Sequence, residues 1–287
     1  MVATINTNFI SQFSDNLHLL LDQRGSKLKG LFMEEARQGE KHFFDRLGNF
    51  SATEIVTRLQ PVVLQDPAHS RRMATVGRFE ASTYLDNIDK LKMLIDPTNE
   101  YVKKLADTHG KNYDLTVINA LLGTASTGAD GSGTQALGSG QQIAHGSVGF
   151  TVAKFNQAMR MLEAAEVDMD SEDIYLLLPA RGVEDLMAES NYTSFDFQNG
   201  KVLGGKQLPE FRGVKIIRTQ RLPEQTAGSV YRGIMCSKDA LKVAIAHDLE
   251  IKVGERADLN FAQQISTYMM FGAVRMEEAR VIDILFQ

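Results

Sequence analysis

The chain is 287 residues long, 43% hydrophobic, carries a formal net charge of −5 and has a single cysteine, Cys236. That is enough apolar material to bury the core of one or two domains, and it argues against a disordered chain or a disulfide framework, leaving a reducing cytoplasm as the natural setting. It argues equally against a membrane span, since the longest apolar runs, Ile174–Ala180 and Tyr268–Val274, fall far short of about 20 residues, and against a duplex-gripping surface, since residues 112–287 hold 16 basic against 22 acidic side chains and DNA affinity needs clustered cations.

Residues 1–50 alternate short helical patterns with breaks at Gly25, Gly30, Gly39 and Gly48. They have no basic n-region and carry an acid where an export signal would be apolar, so no export signal is expected. No self-sufficient core is visible, which suits an arm lying on other surfaces. Phe9, Phe13, Leu17 and Leu20 fall at helical spacing and form a candidate docking stripe. From 51 to 85 two extended runs, EIVTRLQPVVLQ and RRMATVGRFEASTYL, flank Asp66–Ser70, whose Pro supplies turn chemistry. The reading is a long hairpin, marginal in isolation and in need of a support such as a neighbouring subunit. Arg71, Arg72 and Arg78 sit near its tip. They are either a solvated strand face or bidentate partners for carboxylates on an adjacent subunit, a geometry that guanidinium favours over ammonium.

Asp96 can cap a helix with Pro97 at its first position. Apolar and aromatic residues then recur at Tyr101, Val102, Leu105, Tyr113, Val117, Ile118, Leu121 and Leu122, predicting one helix from 97 to about 125, roughly 40 Å long. Gly110 is tolerated in its middle at about 1 kcal/mol, and Gly123 offers a stop. The stretch GTASTGADGSGTQALGSG reads as a connection between strands. Beyond it, 151–166 predicts an amphipathic helix through Val152, Phe155, Met159 and Leu162. IYLLLPA reads as a buried strand, RGVEDLMAES as a helix, and GVKIIRT and SVYRGIMC as strands, together a compact α/β unit. From Leu249 onward strand alternation runs to the last residue, and these strands are expected to return to the long helix.

Chemistry is hard to find. The glycine-rich loop has no GK[ST], and no Lys or Arg occurs from Asn112 to Ala153, which argues against a phosphate cradle. The six histidines are never within four residues of one another, which removes paired metal-ligand motifs. Asp168, Asp170, Glu172 and Asp173 fail as a calcium loop, because Asp173 stands where Gly is needed and Pro179 where Glu is needed. Ser147, in GSVG, misses a nucleophile elbow because position 145 is His. No catalytic, cofactor or metal site is assigned.

The order of parts carries more. An arginine-bearing extended segment (HSRRMATVGRFE), a short bridge (LDNIDKLKMLIDPT), a long helix ending LGTASTG, a glycine-rich loop, the closing IKVGERADLNFAQQISTYMMFGAVRMEEARVIDILFQ and the opening FSDNLHLLLDQRGSKLKG together resemble the major capsid proteins of tailed bacteriophages. The resemblance covers nearly the whole chain. It implies an α+β, Hong Kong 97-like fold: an N-terminal arm (1–50), an extended loop (51–86), a peripheral domain (87–150 and 248–287) with its spine helix at 97–125, and an axial domain (151–247). It also implies a non-enzymatic shell subunit that self-assembles as pentamers and hexamers around a double-stranded DNA genome, in the host cytoplasm and then in the virion. The expected partners are other copies, a separate scaffolding protein, a portal protein, a decoration protein where the head carries one, and weak non-specific contact with packaged DNA. An encapsulin-like nanocompartment shell is the alternative with the same fold, and an α/β enzyme using the glycine loop or Ser147 the alternative from another class.

Overall fold

The computed structural model describes residues 24–36, 38–58, 61–62, 64–86, 98–189 and 210–287. Its strands are β1 (Met33–Ala36), β2 (Lys41–Leu47), β3 (His69–Thr75), β4 (Gly77–Leu85), β5 (Ala125–Thr127), β6 (Gly133–Gln135), β7 (Gln142–Ile143), β8 (Ile174–Leu178), β9 (Val214–Arg218), β10 (Tyr231–Ser237), β11 (Leu241–Arg256), β12 (Ala262–Arg275) and β13 (Val281–Phe286). Three α-helices accompany them among the described residues: α1 (Thr98–Leu122), α2 (Val152–Ala164) and α3 (Ala180–Ala188). The strands form three sheets, with orders β1-β11-β12-β4, β7-β13-β10-β8-β9 and β2-β3-β5-β6.

The five-stranded sheet separates two cores, and the parity of its strands decides which side chain enters which. All five residues of β8 are buried. Ile174, Leu176 and Leu178 join α2 and α3 in one cluster, through Phe155, Leu162 and Leu186. Tyr175 and Leu177 point the other way, into a cluster with Val117, Ile118 and Leu121 of α1 and with Met269 and Phe271 of β12. A strand buried on both faces reads as an unbroken apolar run, and that is why IYLLL carries no alternation.

The helix α1 has 25 residues, about 37 Å at the usual rise. Its second half is the anchored one: Tyr113, Val117, Ile118 and Leu121 are almost fully buried, and His109 meets the Thr267 hydroxyl at 2.9 Å. Residues 24–28 cross over the helix as a strap. The Asp114 carboxylate accepts from Ser26 Oγ at 2.5 Å and from the backbone N–H groups of Lys27 and Leu28, and Asp107 accepts from Gly25 N at 2.7 Å. Gly110 is what lets the strap lie so close, because a β-carbon there would sit 2.5 Å from the Gly25 carbonyl carbon. Its presence mid-helix is a requirement of the crossing, not merely a tolerated cost.

Several expectations change. The hairpin at the extended segment is made by β2 with β3, registered from Lys41↔Thr75 to Leu47↔His69, and not by 54–65 with 71–85. Segment 41–47 has the needed alternation, since His42 and Phe44 turn inward. Residues 71–85 are not one strand. The chain leaves β3 at Thr75 and enters β4 in another sheet, paired with β12 from Gly77↔Phe271 to Leu85↔Gln263. The crossing is tight enough that a β-carbon on Gly272 would collide with the Thr75 carbonyl oxygen. The glycine-rich connection holds the short β5–β6 hairpin. Of the closing strands, β11 and β12 lie in the sheet beside α1, whereas β13 pairs with β10 in the five-stranded sheet. The Asp96 cap, Pro97 and the docking stripe Phe9, Phe13, Leu17 and Leu20 lie outside the described residues.

Gly110→Ala tests the strap. Helix propensity alone would raise stability by about 1 kcal/mol. The clash with Gly25 and Ser26 should outweigh it, for a net loss of about 1–3 kcal/mol measured by urea unfolding. A more stable variant would mean that the strap does not cross here.

Candidate interaction surface

The three arginines singled out in the sequence do not share a role, because neighbours in a strand face opposite ways. Arg71 points outward. Its Nε lies 2.6 Å from Asp45 Oδ1, with side chains 42% and 71% exposed, and its guanidinium sits 5.5 Å from the centre of the Phe43 ring. Arg78 is also outside, 64% exposed, 3.9 Å from Glu80 and over the Tyr268 ring. Arg72 points inward and is 4% exposed. It donates from Nη2 to both oxygens of Glu278, at 2.7 and 2.8 Å, and from Nε to the Met276 carbonyl at 3.2 Å.

Arg72 is therefore corrected, from a candidate interface residue to part of a buried network within the chain. The same Glu278 lies 3.6 Å from Nε of Arg275, whose side chain is wholly buried. Arg275 Nη1 donates to the carbonyls of Leu121 and Gly123 at 2.7 and 2.6 Å, and its Nη2 to Gln135 at 3.0 Å. The carbonyls of Leu121 and Gly123 lie at the C-terminal end of α1, where a cation also complements the helix dipole, and Gln135 ends β6. Burial pushes both guanidinium pKa values down, and the Glu278 charge opposes that shift. Sequence did not single out Arg275 or Glu278, although MEEAR is charged beside apolar strands.

The outward face of the hairpin leads into an exposed loop. Loop 48–68 is closed at its base by Gly48 N donating to Ala68 O at 2.9 Å and braced by Ser51 N to Gln65 Oε1, also 2.9 Å. Around that brace its described apolar side chains are exposed: Phe50 63%, Ile55 76%, Val56 79%, Val62 83% and Leu64 90%. The apolar, branched character read as a strand is real, but none of the described residues covers it. Fully burying side chains of this kind is worth about 1.5–3 kcal/mol each, and contiguous exposed apolar surface marks an interaction site. Beside the loop base, a hollow of about 760 Å³ is lined by Asp45, Arg46, His69, Arg71, Thr127 and Gln135 among others.

The positions weighed for chemistry are structural. Asp168 accepts from Ser171 Oγ and from the backbone N–H groups of Asp170 and Ser171, a local turn. Glu172 pairs with Arg280 at 2.5 Å and Asp173 with Lys215 at 2.6 Å. Ser147 adopts φ 55° in a turn where its N–H donates to His145 Nδ1 at 3.0 Å. Among the described residues no three His, Cys, Asp or Glu side chains gather as metal ligands.

Comparison with known proteins follows the same lines. A family model described as phage capsid protein matches residues 5–287. The fold resembles the capsid of cyanophage P-SCSP1u, with a TM-score of 0.74, 15% identity and coverage of 98% of this chain and 93% of that one. It also resembles a structure from Mycobacterium phage Che8, with a TM-score of 0.73, 13% identity and 97% coverage of both chains. The capsid of cyanophage Pam1 gives 0.72, 14% identity and coverage of 100% and 98%. No curated protein matches the chain.

The shared carboxylate sets an order of substitution effects. Glu278→Ala strands two buried cations and should cost about 3–5 kcal/mol. Arg72→Ala loses hydrogen bonds but leaves Glu278 beside Arg275, and should cost about 1–3 kcal/mol. The exposed Arg71→Ala should cost under about 1 kcal/mol. Urea midpoints measure the series, and equal midpoints for Glu278→Ala and Arg71→Ala would remove the network from the account. Charge reversal at both Arg71 and Arg72 is expected to unfold the subunit, since Arg72→Glu would face Glu278.

Proposed function

We propose a shell-building role for this chain because it belongs to the phage capsid protein family. Its fold is the Hong Kong 97-like capsid fold, and it is a structural protein of the virion capsid, not an enzyme. Within that frame we take it as the major subunit of the head, assembling as pentamers and hexamers around a double-stranded DNA genome in the host cytoplasm. Head-to-tail contacts between copies close into rings of this kind when the rotation permits.

The observation that carries this reading is the uncovered apolar loop from Phe50 to Leu64. A subunit with no use for such a surface would not keep five large apolar side chains in water, and a second copy supplies the cover. Arg71 on β3 and Arg78 on β4, which follow the loop, are the proposed charged contacts, and the arm with Phe9, Phe13, Leu17 and Leu20 the proposed second contact. Each contact is individually modest. Several per subunit make a stable shell, because later ones form at high effective concentration.

The proposed division is arm 1–50, extended loop 51–86, peripheral domain 87–150 with 248–287, and axial domain 151–247. The pairing of β13 with β10 supports moving the last strand to the axial side, and the β2–β3 pairing supports starting the loop's stem at 41. A scaffolding protein, a portal protein and, where present, a decoration protein are the proposed partners.

Ile55→Asp combined with Leu64→Asp tests the role. The subunit should stay soluble with an unchanged circular dichroism spectrum, because both side chains are already in water. It should fail to close shells in sedimentation and negative-stain images under conditions where the unaltered chain, with its scaffolding protein, gives uniform heads. Normal heads from the variant would show that the loop is not a contact.

A further inference from the structure

His109 marks the point where α1 becomes anchored. From Glu100 to Thr108 no residue of the helix is fully buried, whereas His109 is only 1% exposed. Its Nε2 lies 2.9 Å from Thr267 Oγ1 on β12. That hydroxyl donates its proton to the Ala81 carbonyl of β4, at 2.9 Å, so it accepts from the ring and fixes the neutral tautomer with its proton on Nε2. The other nitrogen, Nδ1, is buried and has no hydrogen-bond partner.

The surroundings offer little to a charge on that ring. Where the sheet faces α1, β12 presents Ile265, Thr267 and Met269, and β4 presents Phe79, Ala81 and Thr83 in register with them. Ile251 of β11 lies opposite Thr267. The charged residues of these strands, Arg78, Glu80, Glu250 and Lys252, share the outer face with Tyr268. One turn away on the helix stand Leu105, Ala106, Asn112 and Tyr113, and the Tyr113 hydroxyl donates to Glu34. The strap that crosses at Gly110 brings cations, Arg24, Lys27 and Lys29. The helix acids beside it, Asp107 and Asp114, accept from its backbone N–H groups. Burial holds the imidazole pKa below its ordinary value, against the weaker opposite pull of the Thr267 carbonyl.

We propose that His109 is an acid-released latch: a proton on Nδ1 places an unanswered charge between helix and sheet, and the first half of α1 lifts from β4 and β12. The second half stays seated, because Tyr113, Val117, Ile118 and Leu121 remain buried and Arg275 holds the last carbonyls. Gly110, next to the latch, weakens the helix at that point and sets the bend. An exposed ring takes up its proton near pH 6.5, the latched ring only at lower pH. The seated state is therefore favoured above that value and loses ground as pH falls below it, by up to about tenfold per unit.

Amide hydrogen exchange read by mass spectrometry tests this on the full-length chain at about pH 7.5 and 5.5, with labelling times scaled to the intrinsic rate at each pH. Peptides from 100–108 should lose about tenfold in protection at the lower pH, while those from 113–122 keep theirs. His109→Gln, whose amide nitrogen still donates to Thr267 but takes up no proton, should hold the first half equally at both values. No loss in the unaltered chain, an equal loss along the whole helix, or a pH dependence that persists in the variant overturns the latch. If circular dichroism shows the variant unfolded, nitrogen-15 spectra of the unaltered chain labelled at histidine decide. One ring in the Nε2–H form at the higher pH that protonates over the interval in which exchange rises supports the latch, and the absence of such a ring overturns it. The latch works within one chain, so its failure leaves the shell-building role untouched.

Discussion

Two guanidinium groups and one carboxylate, all drawn inside the protein, hold together parts of the chain that would otherwise separate. Glu278 lies between Arg72 and Arg275. Arg72 belongs to the stem of the exposed hairpin, Arg275 ends β12 and grips the last carbonyls of α1, and Glu278 stands in the link to β13. Burying such charges is expensive, and apolar residues of similar volume would serve stability as well or better. What the ions add is direction. Fixed forks of donors aim at the Glu278 oxygens and at four backbone carbonyls, two of them at the end of α1, so the hairpin stem, the helix end and the sheet meet in one register.

The rest of the architecture follows from where the α1 end is placed. With its second half fixed on β12 and the five-stranded sheet, the helix offers a flat run at Gly110 over which the strap passes, and Asp114 pins that strap by its backbone. Leu28 and Phe32 then drop into the core that α1 shares with β8, β10 and β12. On the far side of the same sheet the second core closes over α2 and α3. There Lys154 is pulled inward to three carbonyls, those of His145, Val148 and Leu285, and joins the loop before α2 to the last strand.

Sequence made the long elements legible, because α1, β8, β10 and β12 carry their period or their unbroken apolar run over many residues. It failed where the deciding partner is remote. Residues 41–47 place charges at Lys41, Asp45 and Arg46 around His42 and Phe44, and only their pairing with β3 reveals the alternation. Residues 54–65 look like a strand because they are apolar and branched, yet the described residues among them form no strand. For the arginines a usable signal was present: consecutive positions in a strand cannot face the same way, so Arg71 and Arg72 could not both serve a neighbour. That the inward one meets Glu278, 206 positions away, is set by tertiary packing and by nothing local.

The exposed loop has a consequence in genetics. A substitution at Ile55 or Leu64 leaves the folded subunit intact, so it escapes the quality control that removes misfolded chains and enters the common pool from which particles are drawn. If loops dock on neighbouring copies, one defective allele expressed beside a sound one contributes to nearly every particle, and each altered copy spoils a contact with a sound one. Loop alleles would therefore act dominantly, whereas alleles that break the Arg72–Glu278–Arg275 network would be recessive, since their products are lost before they meet a partner.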